Sequence, residues 1–116
     1  MKITRLQDVE KISVTLDGAK NAFKQVPISG NDGSPNFSFR VFTVEPGGHT
    51  PYHTHDFEHL NYVISGRGVL VDGDGKERAA NTGDFALVLP NEKHQYRNVS
   101  DTEPFVIICA VPKEYE

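Results

Sequence analysis

The sequence predicts an all-β sandwich or barrel. Short runs rich in Val, Ile, Phe and Tyr alternate with turns built from Gly, Pro, Asn and Asp, which is the pattern of strands joined by tight connections. Segments with helical periodicity are scarce. Several of the runs are also apolar on both faces: Leu60, Tyr62 and Ile64 oppose Val63, and Phe39 and Val41 oppose Phe42 and Val44. Such strands need cover on two sides.

In chain order, Ile12 to Thr15 is a weak strand candidate and Phe23 to Ile28 a better one. The glycine-rich stretch Ser29 to Asn36 is expected to be a mobile loop. Phe37 to Glu45 is a strand that ends where Gly47, Gly48 and Pro51 argue for a loop. His59 to Ile64 and Val69 to Val71 follow. Asp72-Gly73-Asp74-Gly75 superficially matches the start of a calcium loop but lacks the further oxygen ligands and closing glutamate, and it is assigned to a hairpin turn. Phe85 to Val88, His94 to Asn98 and Phe105 to Val111 complete the set.

The chain has 116 residues and a net charge of −4, and neither a linker nor an internal repeat divides it, so residues 1–116 are expected to form a single domain. Basic residues are scattered, which argues against nucleic acid and against an anionic membrane surface as partners. The longest apolar run, Phe105 to Val111, is far shorter than a membrane span. Met1-Lys2-Ile3-Thr4-Arg5 is not followed by a hydrophobic region, which argues against a secretory signal, and a cytoplasmic location is expected. The lone Cys109 cannot form an internal disulfide. It is read either as a small buried core residue or as an oxidisable wall of a cavity.

Four of the five histidines fall in two places. His53, His55 and His59 stand close together, and His94 follows Pro90. Alternate side chains of a strand share a face, so His53 and His55 point one way and Thr54 the other; a continuous strand would add His59, unless the segment from Asp56 to Glu58 bends. His94 would begin a later strand whose one face carries His94, Tyr96 and Asn98. Four imidazole nitrogens can then meet inside a barrel and bind a divalent metal ion, Fe, Ni or Zn by ligand type alone. His49 is read as a solvent or rim residue, and Glu58 is excluded from the ligands by its opposite parity.

The stretch from Gly47 through His53, His55 and His59 to Gly66 resembles the first cupin motif, G-x5-H-x-H-x3-E-x6-G, with His59 where the family usually has glutamate. Gly83, Asn91, His94 and Asn98 fit the second motif, G-x5-P-x-G-x2-H-x3-N. Leu89 takes the proline position, Pro90 comes one later, and Asn91 replaces a glycine, a substitution that a left-handed backbone tolerates. This resemblance implies the cupin double-stranded β-helix, a jelly-roll barrel, and within the family it points to small cupins whose four-histidine site holds manganese. It also implies a homodimer, in line with the strands that have two apolar faces, whose second face needs a second sheet or a second subunit.

Histidine in place of glutamate leaves the full 2+ charge on the ion, which favours anionic ligands. Four nitrogens on an octahedral ion leave two positions for water, a bidentate enolate or carboxylate, or dioxygen. The expected function is therefore a metal-dependent enzyme, an oxygenase or an isomerase/lyase acting on a small anionic or dicarbonyl compound. Tyr96, Arg40 and Arg97 are candidates to supply a proton or counter-charge if they face inward, and Cys109 is a further candidate at the cavity wall. The alternatives are a small-molecule binding or sensor barrel and a metal-bearing structural barrel.

Overall fold

The computed structural model describes residues 1–115. Its strands are β1 (Ile12–Ser13), β2 (Lys20–Ile28), β3 (Phe37–His49), β4 (His59–Ser65), β5 (Arg67–Val71), β6 (Glu77–Asn81), β7 (Phe85–Val88), β8 (Gln95–Asn98) and β9 (Phe105–Pro112). All pairings are antiparallel, and the strands form a nearly closed barrel with hydrogen-bonded order β6-β5-β8-β3-β9-β4-β7, to which β2 adds on the free side of β3. The 13-residue β3 joins the two halves. Its first part pairs with β9 and β2, and its last residue, His49, pairs with Arg97 of β8.

Inward-facing side chains from six strands fill the interior. Ala22, Val44, Val63, Ala80, Tyr96, Phe105 and Ile107 pack as one cluster. Backbone approach at the β4–β5 turn is close enough to demand glycine: Gly66 has φ +88°, and a Cβ there would stand 2.2 Å from the carbonyl oxygen of Pro104. Only a residue without a side chain fits both conditions.

Four features of the fold extend or correct the sequence expectations. Glu77–Asn81 is a strand although its residues are poor β-formers, because it completes a hairpin with β5 in continuous register from Arg67–Asn81 to Val71–Glu77; cross-strand pairing outweighs propensity here. The β3 strand continues past Glu45 to His49, with Gly47 at φ +79°. The Ser29 to Asn36 stretch is organised, since Ser29 and Asp32 form a reciprocal capping box around a 3-10 turn and Lys2 pairs with Asp32 at 2.6 Å. Finally, residues 51–58 are not a continuous strand: His53 forms only an isolated bridge with His94, which itself precedes β8.

On the outer surface, register aligns two rows across four strands. Phe39, Ala110, Leu60 and Leu87 form one row, and Val41, Ile108, Tyr62 and Phe85 the other. Neither row contains a charged residue. Phe85 is 82% exposed, Leu87 54% and Leu60 53%, so this face is apolar and its β4–β7 side is uncovered in the single chain, while Val41 at the β3 end is buried.

Candidate metal centre

The inner faces of the same strands build a cavity of about 250 Å3. Register again decides what lies side by side: Arg40 of β3 pairs with Cys109 of β9, and Cys109 with Asn61 of β4. His59, two residues before Asn61, therefore shares its face. From the other half of the barrel, His53 and His94 are brought opposite each other by two backbone hydrogen bonds, 3.1 and 3.0 Å long. Asn91 adopts φ +65° and donates its backbone N–H to the carbonyl of His55 at 2.7 Å. The asparagine at the glycine position of the second motif thus takes the left-handed turn and ties the two motifs together.

Three histidines converge: ring nitrogens of His53, His55 and His94 lie within 4.8 Å of one another. Two of these rings have their tautomers fixed. Nδ1 of His55 stands 2.8 Å from the carbonyl oxygen of Phe57, and Nδ1 of His94 stands 2.9 Å from that of Glu92. A carbonyl only accepts, so both Nδ1 atoms carry the proton and both Nε2 atoms keep a lone pair. Anchoring one ring nitrogen on a backbone carbonyl while the other faces inward is the usual arrangement of a metal-binding imidazole. Nε2 of His55 is buried and without a hydrogen-bond partner. An unsatisfied buried nitrogen is costly, and a metal ion on this donor set would satisfy it.

His59 reaches the cluster differently. Its ring stacks on His55 with centroids 4.0 Å apart, but its Nε2 lies 3.0 Å from Nη2 of Arg40. Guanidinium only donates, so this nitrogen is the acceptor and Nδ1 holds the proton. The single lone pair of the ring is already engaged.

Electrostatics keep the imidazoles neutral. Burial, with the Arg40 charge second, pushes His59 down to about 2, and burial pushes His94 down to about 4. His53 and His55 are also lowered, chiefly by burial. Neutral imidazole is the metal-binding form.

Of the other candidates, Arg40, Tyr96 and Cys109 line the cavity. Cys109 is 1% exposed and accepts from Nη2 of Arg40 at 3.2 Å, so it is both a core residue and a cavity wall. Tyr96 donates its hydroxyl to Oδ1 of Asn61 at 2.9 Å. Burial pushes its phenol up, which makes it a neutral hydrogen-bond donor and a poor acid. Arg97 does not face inward: it lies on the surface and pairs with Glu77 at 2.8 Å, because it alternates with the inward Tyr96 and Asn98. His49 does not line the cavity and stands beside Gln95 and the carbonyl of Thr50. Thr54, Asp56 and Glu58 are exposed while His53, His55, Phe57 and His59 turn inward, so residue parity holds even though this segment is not a regular strand.

Asn61 is a site residue that the sequence reading missed, although its i+2 spacing from His59 signals it. Val14 and Leu16 also line the cavity. They arrive because β1 pairs with β2 and the backbone N–H of Val14 donates to the carbonyl of Ala22 at 2.9 Å, while Gln25 ties the preceding Leu6 and Val9 carbonyls to β2 at 2.8 and 3.0 Å. At the other end, Phe57 stacks between His55 and Tyr115 with centroid distances of 4.2 and 4.0 Å. No local pattern announces either contact.

The sequence profile of the Cupin domain family matches residues 40–111. No curated protein matches the chain. Among solved structures, the polyketide cyclase RemF from Streptomyces resistomycificus is 29% identical with a TM-score of 0.90, covering 97% of this chain and 79% of that one. A cupin-2 domain protein from Rhodospirillum rubrum is 25% identical with a TM-score of 0.81, covering 96% and 74%. A predicted oxalate decarboxylase from Thermotoga maritima is similar in fold, at 21% identity and a TM-score of 0.80, covering 97% and 99%.

Proposed function

The chain belongs to the cupin domain family, and from that premise we propose that it is a divalent-metal enzyme of the isomerase/lyase class acting on a small, largely apolar dicarbonyl or anionic compound. The observation that carries this reading is the pair of anchored imidazoles, His55 and His94, whose Nε2 atoms face a shared cavity. His53 supplies the third nitrogen and His59 the fourth. Manganese is the first choice by motif resemblance, with iron, nickel or zinc permitted by the ligands. When bound, the ion supplies Lewis acidity toward substrate oxygens.

The chain's own residues then bind and orient. Phe42, Pro51, Phe57 and Ile107 wall the cavity, exclude water and strengthen every polar contact inside. Tyr96, kept neutral and fixed on Asn61, sets the polar end of the cavity. The likeness to a polyketide cyclase supports a carbonyl-bearing substrate and supports rearrangement over oxygenation.

Elemental analysis of the reconstituted protein, followed by anaerobic addition of a β-dicarbonyl such as acetylacetone, tests this. We expect close to one ion per chain, a perturbed metal spectrum and no oxygen uptake on later aeration. Absence of metal overturns the reading. Oxygen consumption would make the protein an oxygenase, and binding of dicarbonyls without turnover of any would make it a sensor.

The same reading includes a homodimer. Phe37, Phe39, Leu60, Phe85 and Leu87 are each between 45% and 82% exposed, and an apolar patch of this kind is what a partner covers in a stable interface. A face this apolar and free of charge matches a second copy of itself.

A further inference from the structure

We propose that Arg40 is the specificity-determining residue of the cavity and that it selects a ligand with one carboxylate on a small apolar body. The proposal deepens the metal-site reading by naming the ligand class. Arg40 is only 9% exposed, yet its partners are all neutral: the carbonyl of Tyr115 at 3.4 Å, Nε2 of His59 and Sγ of Cys109. Its Nε has no partner. Phe42 lies under the guanidinium at 5.0 Å, which offsets part of the charge but adds no acceptor.

Among the described residues, every ion pair lies elsewhere: Lys2 with Asp32, Arg78 with Asp72, and Arg97 with Glu77. Among the described residues, those that line the cavity include no Asp or Glu. Among the described residues this buried cation has no counter-ion, which is a large electrostatic cost, and a carboxylate ligand offsets it through a charge-assisted hydrogen bond from Nε. The remaining walls, including Val14, Leu16, Pro51, Phe57 and Ile107, are apolar, and a volume of about 250 Å3 lies below the range that holds drug-sized ligands. A single ring or short chain bearing one carboxylate fits this description.

His59 links this anion site to the metal. Its one lone pair cannot serve Arg40 and an ion together, so metal uptake through that nitrogen releases Nη2 of Arg40 toward the ligand. Metal and carboxylate binding should therefore reinforce each other.

The test is isothermal titration of the full-length, metal-stripped protein with benzoate and with its neutral isostere benzamide, where no ion can hold the carboxylate. Charge-assisted pairing predicts a preference for benzoate of about tenfold or more. Arg40→Gln should abolish the preference and Arg40→Lys should retain part of it, with circular dichroism confirming that both variants fold. Equal binding of the two probes by the parent, or an unchanged preference in folded Arg40→Gln, overturns the proposal. If the variants do not fold, the parent's preference for benzoate over benzamide decides alone. Metal content is measured separately: a protein that takes no metal but prefers benzoate loses the enzyme reading and keeps this one.

Discussion

The guanidinium of Arg40 and the imidazole of His59 are joined by one hydrogen bond, Nη2 to Nε2 at 3.0 Å, made through the only nitrogen of that ring with a lone pair. Arg40 is thus both a competitor for a metal ligand and a positive charge beside the metal position. Both effects oppose metal binding. Arg40→Met removes them while keeping an apolar side chain of similar length, and metal affinity measured by chelator competition should rise by about tenfold. A fall in affinity would mean that the bond orients His59 for the ion.

The histidines should divide by role. His55→Ala and His94→Ala remove anchored nitrogens and should each cost more than the 10–100-fold typical of losing an outer-shell partner. His53→Ala should behave alike, since its nitrogen belongs to the same converging group. His59→Ala should cost less, because that ring must first give up Arg40. His49→Ala should cost nothing. Chelator competition across the five variants reads this order, and a loss at His59 equal to that at His94 would show that four histidines bind as a set.

Much of this site is legible in the sequence, because parity survives even where regular strand geometry does not. His53, His55 and His59 turn inward through a segment that is bent at Asp56 and Phe57, since side-chain alternation needs only an extended backbone. Motif spacing likewise places Asn91 at a left-handed turn. What stays hidden is non-local. Arg40, Cys109 and Asn61 meet because of the register between β3, β9 and β4, and no single segment encodes a register. The same applies to β6, whose Arg78, Ala79 and Ala80 become a strand only through β5. Arg97 fails the inward condition for a simpler reason: its neighbour Tyr96 takes the inward position, and the residue one step along a strand faces out.

Acid should destabilise the metal-free protein, with the sign set by burial. The folded state holds His94 at about 4 and His59 at about 2, against an ordinary 6.5. Below that ordinary value the unfolded chain binds protons that the folded chain refuses, so stability rises with pH. The histidine contribution is fully present above pH 6.5 and is lost as pH falls, with the His94 share exhausted near 4. Thermal unfolding of the parent and of His94→Gln between pH 7 and 4 separates this from carboxylate titration: the parent's melting temperature should fall more steeply. Metal retention should also persist below pH 6.5, since the folded imidazoles resist protonation there. Parallel melting curves for the two proteins would show that His94 is not held neutral by burial.

The outer face offers a test that leaves the cavity untouched. Phe85 is 82% exposed and outside the core, its main contact being the Tyr62 ring at 4.5 Å, so Phe85→Asp should cost the monomer no more than about 2 kcal/mol. In a two-fold interface each substitution occurs twice, and both copies would bring a carboxylate into the row formed with Tyr62, Ile108 and Val41. Burying those charges without partners outweighs the apolar contacts that remain. Sedimentation equilibrium should find the parent at twice the chain mass and the variant at the chain mass, with metal content unchanged in both. A monomeric parent would remove the homodimer, and a dimeric Phe85→Asp would place the interface on a different surface.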